Sequence, residues 1–244
     1  MDIVDALAAD AGLLAVVGAG GKKTTLYVLA SRLDRAVVTA TVRIPIFDEQ
    51  VSRVVVADDP VVALDDAGPA DFPLGLVPER EREDRYRGYG PATVDRLAAA
   101  HDGPVLVKAD GARTRWLKAP NEREPRIPDA ADTVVPVASA RVVGESLTEE
   151  RVHRPELVAE VAGLEPGGEI RSEHVARVLA SEHGGLKAVP EGATAIPLVN
   201  MVDDEELETV AREVADEVLA RADVPRVVLA RMTAAEPLVD VVER

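Results

Sequence analysis

The 244-residue chain has no cysteine, which excludes disulfides, thiolate metal sites and a cysteine nucleophile. Aromatic residues are only 2% of it, so the core must be built from Val, Ala and Leu. That composition favours buried parallel strands flanked by Ala/Leu helices. No apolar run approaches the roughly 20 residues that a membrane-spanning helix needs. The opening segment MDIVDALAADAG is acidic and amphipathic, unlike a secretory signal, so a cytoplasmic protein without a membrane partner is expected. Lysine is almost missing: Lys22, Lys23, Lys108, Lys118 and Lys187 are all there is. Arginine carries the remaining positive charge, and 44 acidic residues against 28 basic ones leave a net charge of −16. Such a balance argues against nucleic-acid binding, which needs a basic surface. It suits either a high-salt cytoplasm or a merely acidic protein from a GC-rich genome. The histidines, His101, His153, His174 and His183, show no spacing suited to a metal.

What is present concentrates at residues 15 to 26, AVVGAGGKKTTL. An apolar run meets three glycines in four residues, then two lysines, two threonines and a helical segment. The order strand, glycine loop, helix start is a phosphate-binding arrangement: backbone N–H groups surround the phosphate, lysine adds charge, and threonine can ligate Mg²⁺. Gly18, Ala19, Gly20 and Gly21 form the expected cradle. The register is open. If Lys23–Thr24 is the Lys–Thr pair, Lys22 stands where a glycine belongs. If Lys22 is the phosphate lysine, Lys23 stands where the hydroxyl residue belongs. Thr24 is the expected Mg²⁺ ligand and Thr25 its alternative. A dinucleotide fingerprint fits less well, since GAGG lacks the third spaced glycine.

A second apolar strand, VLVKADGA at 105 to 112, delivers Asp110 to the same sheet edge, where it can complete the shell of the Mg²⁺. Gly111 can donate to a terminal phosphate. Asn200 and Asp203 in PLVNMVD have the spacing of a base-reading element, with Met201 where lysine is usual, or else simply end a strand. Arg113, Arg115 and Lys118 belong to a basic loop that runs to Pro128. It either holds an anionic substrate or partner, or makes scaffold salt bridges. His153 and Arg154 in RVHRPE are candidates for the same second ligand.

Elsewhere, spacing predicts helices over 2–11, 24–33, 91–100, 148–161, 172–182 and 204–222, and a short helix or turn starting over 60–64. Strands are expected over 13–17, 36–41, 51–57, 105–107, 133–139, 195–199, 227–230 and 238–242, with Ser172 capping its helix. Residues 79–87, EREREDRYR, read as a solvated run. The alternation predicts an α/β, three-layer, mostly parallel sheet in one domain over 1–244, with a small helical insertion around 145–190.

Taken in order, GAGGKKTT, VLVKADGARTRWLKAPNEREPRIP, RVHRPE and PLVNMVD resemble the YqeC-type proteins. ADGA, LKAP, EP and IP in succession are the specific part. The resemblance implies a P-loop NTPase-like fold and an accessory role in maturing a selenium-dependent molybdenum hydroxylase. A molybdenum hydroxylase or its cofactor is then a partner. The chain departs from that pattern at Lys22–Lys23, at Lys108 and at Met201. The expectation is a nucleoside-triphosphate-binding protein using ATP or GTP with Mg²⁺. Lys22, Lys23 and Asp110 would carry its chemistry. A small-molecule kinase, or a nucleotide-binding module with little turnover, is the alternative.

Overall fold

β1 (Leu13–Gly18), with the sequence LLAVVG, is buried along almost its whole length, as a strand in the middle of a parallel sheet must be. The computed structural model describes residues 1–244 and places β1 there. In front of it α1 (Ile3–Ala6) is one turn, capped by the Asp2 carboxylate. The longer helix expected over 2–11 ends at Leu7, and Ala8 turns left-handed. Behind β1 come α2 (Lys22–Ala30), β2 (Val37–Ala40), β3 (Ile44–Pro45), β4 (Arg53–Val56), α3 (Pro60–Asp65), β5 (Leu74–Val77) and β6 (Arg85–Tyr86). α4 (Pro91–Ala100) starts on Pro91 as expected, and β7 (Val105–Lys108), β8 (Leu117–Lys118) and β9 (Thr133–Ser139) follow. The last third holds β10 (Val152–His153), α5 (Pro155–Ala162), α6 (Ser172–Leu179), β11 (Thr194–Ala195), β12 (Leu198–Asn200), α7 (Glu205–Arg221), β13 (Arg226–Ala230) and β14 (Leu238–Glu243).

The main sheet runs β14-β13-β12-β9-β1-β7-β2-β5-β4, with β11 beside β9. Every pairing in it is parallel except β13 with β14. β3 pairs with β6, and β8 with β10, outside it. Alternation along β1 sends Leu14 and Val16 into a core with α1 and α2, and Leu13, Ala15 and Val17 into a core with α3 and α4. On that second side α5, α6 and α7 pack over Ala138, Val199 and Leu229. The result is an α/β three-layer fold of the P-loop NTPase-like kind. The segment 145–190, expected as a helical insertion, contributes α5 and α6 to this layer.

Other local expectations change, among them the solvated run 79–87, which holds β6 and the buried Tyr86. β5, LGLV, was not expected as a strand; it lies fully buried between β2 and β4. Residues 148–154 are turn and β10 rather than helix, because Arg154 is left-handed and Pro155 opens α5. Ser172 is the first residue of α6, and Arg171 holds the cap position. The strand expected over 195–199 is split at Pro197, which has no N–H for the ladder.

Registers align the carboxyl ends that matter. Val16 pairs with Lys108, Gly18 with Val137, and Ser139 with Asn200. From β1 the chain moves out to β2 on one side, and β9 leads to β12 on the other. Open α/β sheets bind ligands in the crevice at such a reversal.

Candidate functional site

The glycine loop is tight because the sheet edge leaves no room for side chains. A Cβ on Gly18 would lie 2.3 Å from the Val137 carbonyl oxygen, and one on Gly20 would lie 2.6 Å from the Ser139 nitrogen. Both glycines also have positive φ, which L side chains rarely adopt. Three loop amides are already used. Gly18 N–H donates to Asp110 Oδ2 (2.8 Å), Ala19 N–H to the Val137 carbonyl (2.8 Å), and Gly20 N–H to the Arg115 carbonyl (2.9 Å). The N–H groups of Gly21, Lys22, Lys23 and Thr24 have no acceptor in the protein. The free amides therefore start at Gly21, and those of Gly18, Ala19 and Gly20 are taken up within the protein. These free amides head α2, where the helix dipole also favours negative charge.

Lys22 begins α2 and folds back. Its ammonium donates to the Gly18 carbonyl and meets Asp110 Oδ1 at 2.9 Å. Asp110 follows β7 and is 1% exposed. Its Oδ2 meets Lys118 Nζ at 3.0 Å. Lys118 donates in addition to the Gly111 carbonyl (2.7 Å) and pairs with Glu124 (2.9 Å), and Glu124 pairs with Arg154 (2.9 Å). Gly111 N–H is spent on Glu124 Oε1 (3.1 Å). Burial alone would push the Asp110 carboxyl up, but Lys22 and Lys118 outweigh it and hold it below its usual range. Glu124 is lowered in the same way, burial being outweighed by Lys118 and Arg154. Lys108 donates to the Asp110 carbonyl (2.6 Å) and the Arg43 carbonyl (3.2 Å). Burial first, and Lys22 second, bring its ammonium down to about 7. Burial and Arg154 bring His153 down to about 4, so its ring is neutral at pH 7.

Part of this set borders a cavity of about 690 Å³, while Asp110, expected at the ligand, and Lys118 stand behind its wall. Lys22, Lys23 and Thr24 line it from α2, Lys108 from β7, and Arg113 and Arg115 from the loop beyond Gly111. His153 and Arg154 close one side, and Arg43 and Arg85, beside β3 and in β6, another. Glu124 is the one acidic lining residue. In a chain of net charge −16 this is a strong local reversal of sign. The loop over the cavity holds Arg113 and Thr114 in left-handed conformations, a form of backbone strain that tends to gather at functional sites.

Of the expected residues, Gly20, Gly21, Lys22, Lys23, Thr24, Gly111, Arg113, Arg115, His153 and Arg154 meet at this cavity. Others stand behind it. Thr25 is buried and its hydroxyl donates to the Gly21 carbonyl, so Thr24 is the hydroxyl at the cavity wall. Asn200 does not read a base: Nδ2 donates to the Gly20 carbonyl (2.8 Å) and Oδ1 accepts from Met232 N–H (3.1 Å), which anchors the loop. Asp203 pairs with Arg141 away from the cavity, and Met201 alone of that element lines it. Lys118 is buried in the ion-pair chain. Sequence reading did not find Arg43, Arg85 or Glu124. Glu124 lies in the EP of the specific middle block, whereas nothing in the local sequence marks the two arginines.

The donor set does not fit a resident magnesium. Asp110 stands behind the cavity wall, its Oδ2 accepting the Gly18 N–H and its Oδ1 without a hydrogen bond but in an ion pair with Lys22, and Glu124 is taken up by Lys118, Arg154 and Gly111. No group of three His, Cys, Asp or Glu side chains is placed to hold a metal. Thr24 supplies a lone hydroxyl.

Comparison with known proteins agrees with the sequence motifs. The YqeC protein family matches residues 14–156, more than half of the chain. An uncharacterized YqeC protein of Escherichia coli (strain K12) is 28% identical over 193 residues, covering 77% of this chain and 75% of its own length. No solved structure matches.

Proposed function

The chain belongs to the YqeC family, and from that premise we propose that its cationic cavity binds the phosphates of a nucleoside triphosphate, ATP or GTP. One observation carries the reading. Four unpartnered amides at the head of α2 share a cavity wall with Lys22, Lys23 and Lys108, and a single acid opposes them. Polyphosphate is the ligand whose charge and oxygens such a wall matches. Lys22 and Lys23 neutralise phosphate charge, Arg113, Arg115 and Arg154 close over the tail, and Met201 packs against the base. Catalysis, where hydrolysis follows, is positioning and electrostatics, since phosphoryl transfer asks little covalent chemistry of the protein. In the cell the nucleotide-bound protein serves as an accessory factor in maturing a selenium-dependent molybdenum hydroxylase. That role is supported by the resemblance of motifs.

Thermal unfolding with ATP, GTP or inorganic tripolyphosphate, in dilute buffer and in molar KCl, tests the reading. A ligand at a hundred times its Kd adds about 2.7 kcal/mol of stability. A rise in Tm with a triphosphate and none with the matching nucleoside is expected. No rise with any of the three phosphate ligands overturns it. Phosphate release measured alongside decides whether binding leads to hydrolysis.

A further inference from the structure

Two carboxylates stand against four basic groups at the heart of the site: Asp110 and Glu124 against Lys22, Lys118, Arg154 and Lys108, the last charged only below about pH 7. Lys22, Lys108 and Lys118 are 5%, 6% and 3% exposed. Buried charge without compensation is costly: burial lowers both Lys22 and Lys108, and an anion entering beside them would favour their charged forms. The hydrogen-bond count says where the anion goes. An ammonium has three N–H donors. Lys118 donates to Glu124 and to the Gly111 carbonyl and meets Asp110 Oδ2 as an ion pair at 3.0 Å. Lys22 donates to the Gly18 carbonyl and meets Asp110 Oδ1 at 2.9 Å as an ion pair, Oδ1 being left without a hydrogen bond, and Lys108 donates to the carbonyls of Asp110 and Arg43. Each of these two lysines keeps at least one N–H without an acceptor, and both line the cavity.

A divalent cation finds the opposite conditions. Glu124 is held by Lys118, Arg154 and the Gly111 amide, Asp110 stands behind the cavity wall against two lysines, and the ion would enter beside amino groups that repel it when protonated. We infer that this site takes the phosphate tail of its ligand free of metal, with Lys22 and Lys108 supplying the charge that a divalent ion supplies elsewhere. The inference rests on the nucleotide reading and narrows it: the ligand is the uncomplexed tetra-anion and not its magnesium complex. Each lysine contributes one charge-assisted hydrogen bond to a non-bridging phosphate oxygen.

Calorimetric titration of the intact protein with ATP and GTP, once in EDTA and once in excess MgCl₂, tests this. The expected result is binding in EDTA at least as tight as in magnesium, with tripolyphosphate competing in EDTA. Lys108→Met should weaken the EDTA affinity about tenfold or more, the loss of one charge-assisted bond. Circular dichroism on the same sample should show that the variant remains folded. Binding that appears only with magnesium overturns this inference and leaves the nucleotide reading intact. No binding in either medium overturns both.

Discussion

Lys22 and Asp110, 88 positions apart in sequence, meet at 2.9 Å beneath the glycine loop, each almost wholly buried. The pair joins the head of α2 to the end of β7 and fixes the lysine at the cavity wall. Breaking a buried pair from one side leaves the other charge without compensation. Asp110→Asn strands two lysines, whereas Lys22→Met leaves Asp110 with Lys118. Asp110→Asn should therefore be the more damaging change, by about 3–5 kcal/mol against wild type. Urea unfolding of both variants checks the order; equal losses would show that Lys118 does not share the carboxylate.

Asn200 is anchored at both ends, to Gly20 and to Met232. Asn200→Ala leaves the Met232 N–H and the Gly20 carbonyl unpaired and should cost about 1–3 kcal/mol. Nucleotide affinity should fall because the loop loosens, and by the same factor for ATP and GTP. A change in the ATP/GTP ratio would mean that the side chain reaches the base after all.

Asp110 and Glu124 make the fold acid-labile in a definite direction. Both carboxyls are lowered in the folded protein. The native state therefore binds fewer protons than the unfolded chain, and stability falls as pH falls. The contribution is complete above the ordinary values of 3.8 and 4.5 and is lost as pH drops through the lower folded ones. Glu124→Gln should flatten the acid limb of a Tm-against-pH curve. An unchanged limb would show that Glu124 titrates normally.

Lys108 acts at the other end of the scale. Its ammonium is brought from 10.5 to about 7. Between those values the unfolded chain holds the proton that the native state has shed, so wild-type stability gains with rising pH. Below about pH 7 the cost of the buried charge is fully present. Lys108→Met lacks this term. Its stability relative to wild type should be most favourable near pH 6 and decline steadily towards pH 10, as read from urea midpoints. A constant difference across that range would contradict the lowered value.

Much of the fold was legible because its signals are local. LLAVVG before the glycines is β1, Pro91 opens α4, and the acidic start of α7 follows the Asp204 cap. β5 escaped because LGLV is four residues with a glycine inside, and that glycine is there for packing: a Cβ on Gly75 would lie 2.7 Å from the Phe47 ring. Thr148-Glu-Glu reads as a helix start, yet Arg154-Pro155 fixes the start of α5. At the site, the glycine loop was visible as composition, but its division into used and free amides depends on Val137 and Arg115 far along the chain. Asn200 looked like a base reader because its partners Gly20 and Met232 are distant in sequence. Lys118 was left between an anion-holding loop and a scaffold of salt bridges because nothing local shows that it turns inward to Asp110.

The position of a bound phosphate tests the central claim most directly. In a crystal structure with ATP or GTP, phosphate oxygens should lie at hydrogen-bond distance, about 3 Å, from the N–H groups of Gly21, Lys22, Lys23 and Thr24. A nucleotide held elsewhere on the molecule, with those four amides facing solvent, would contradict it.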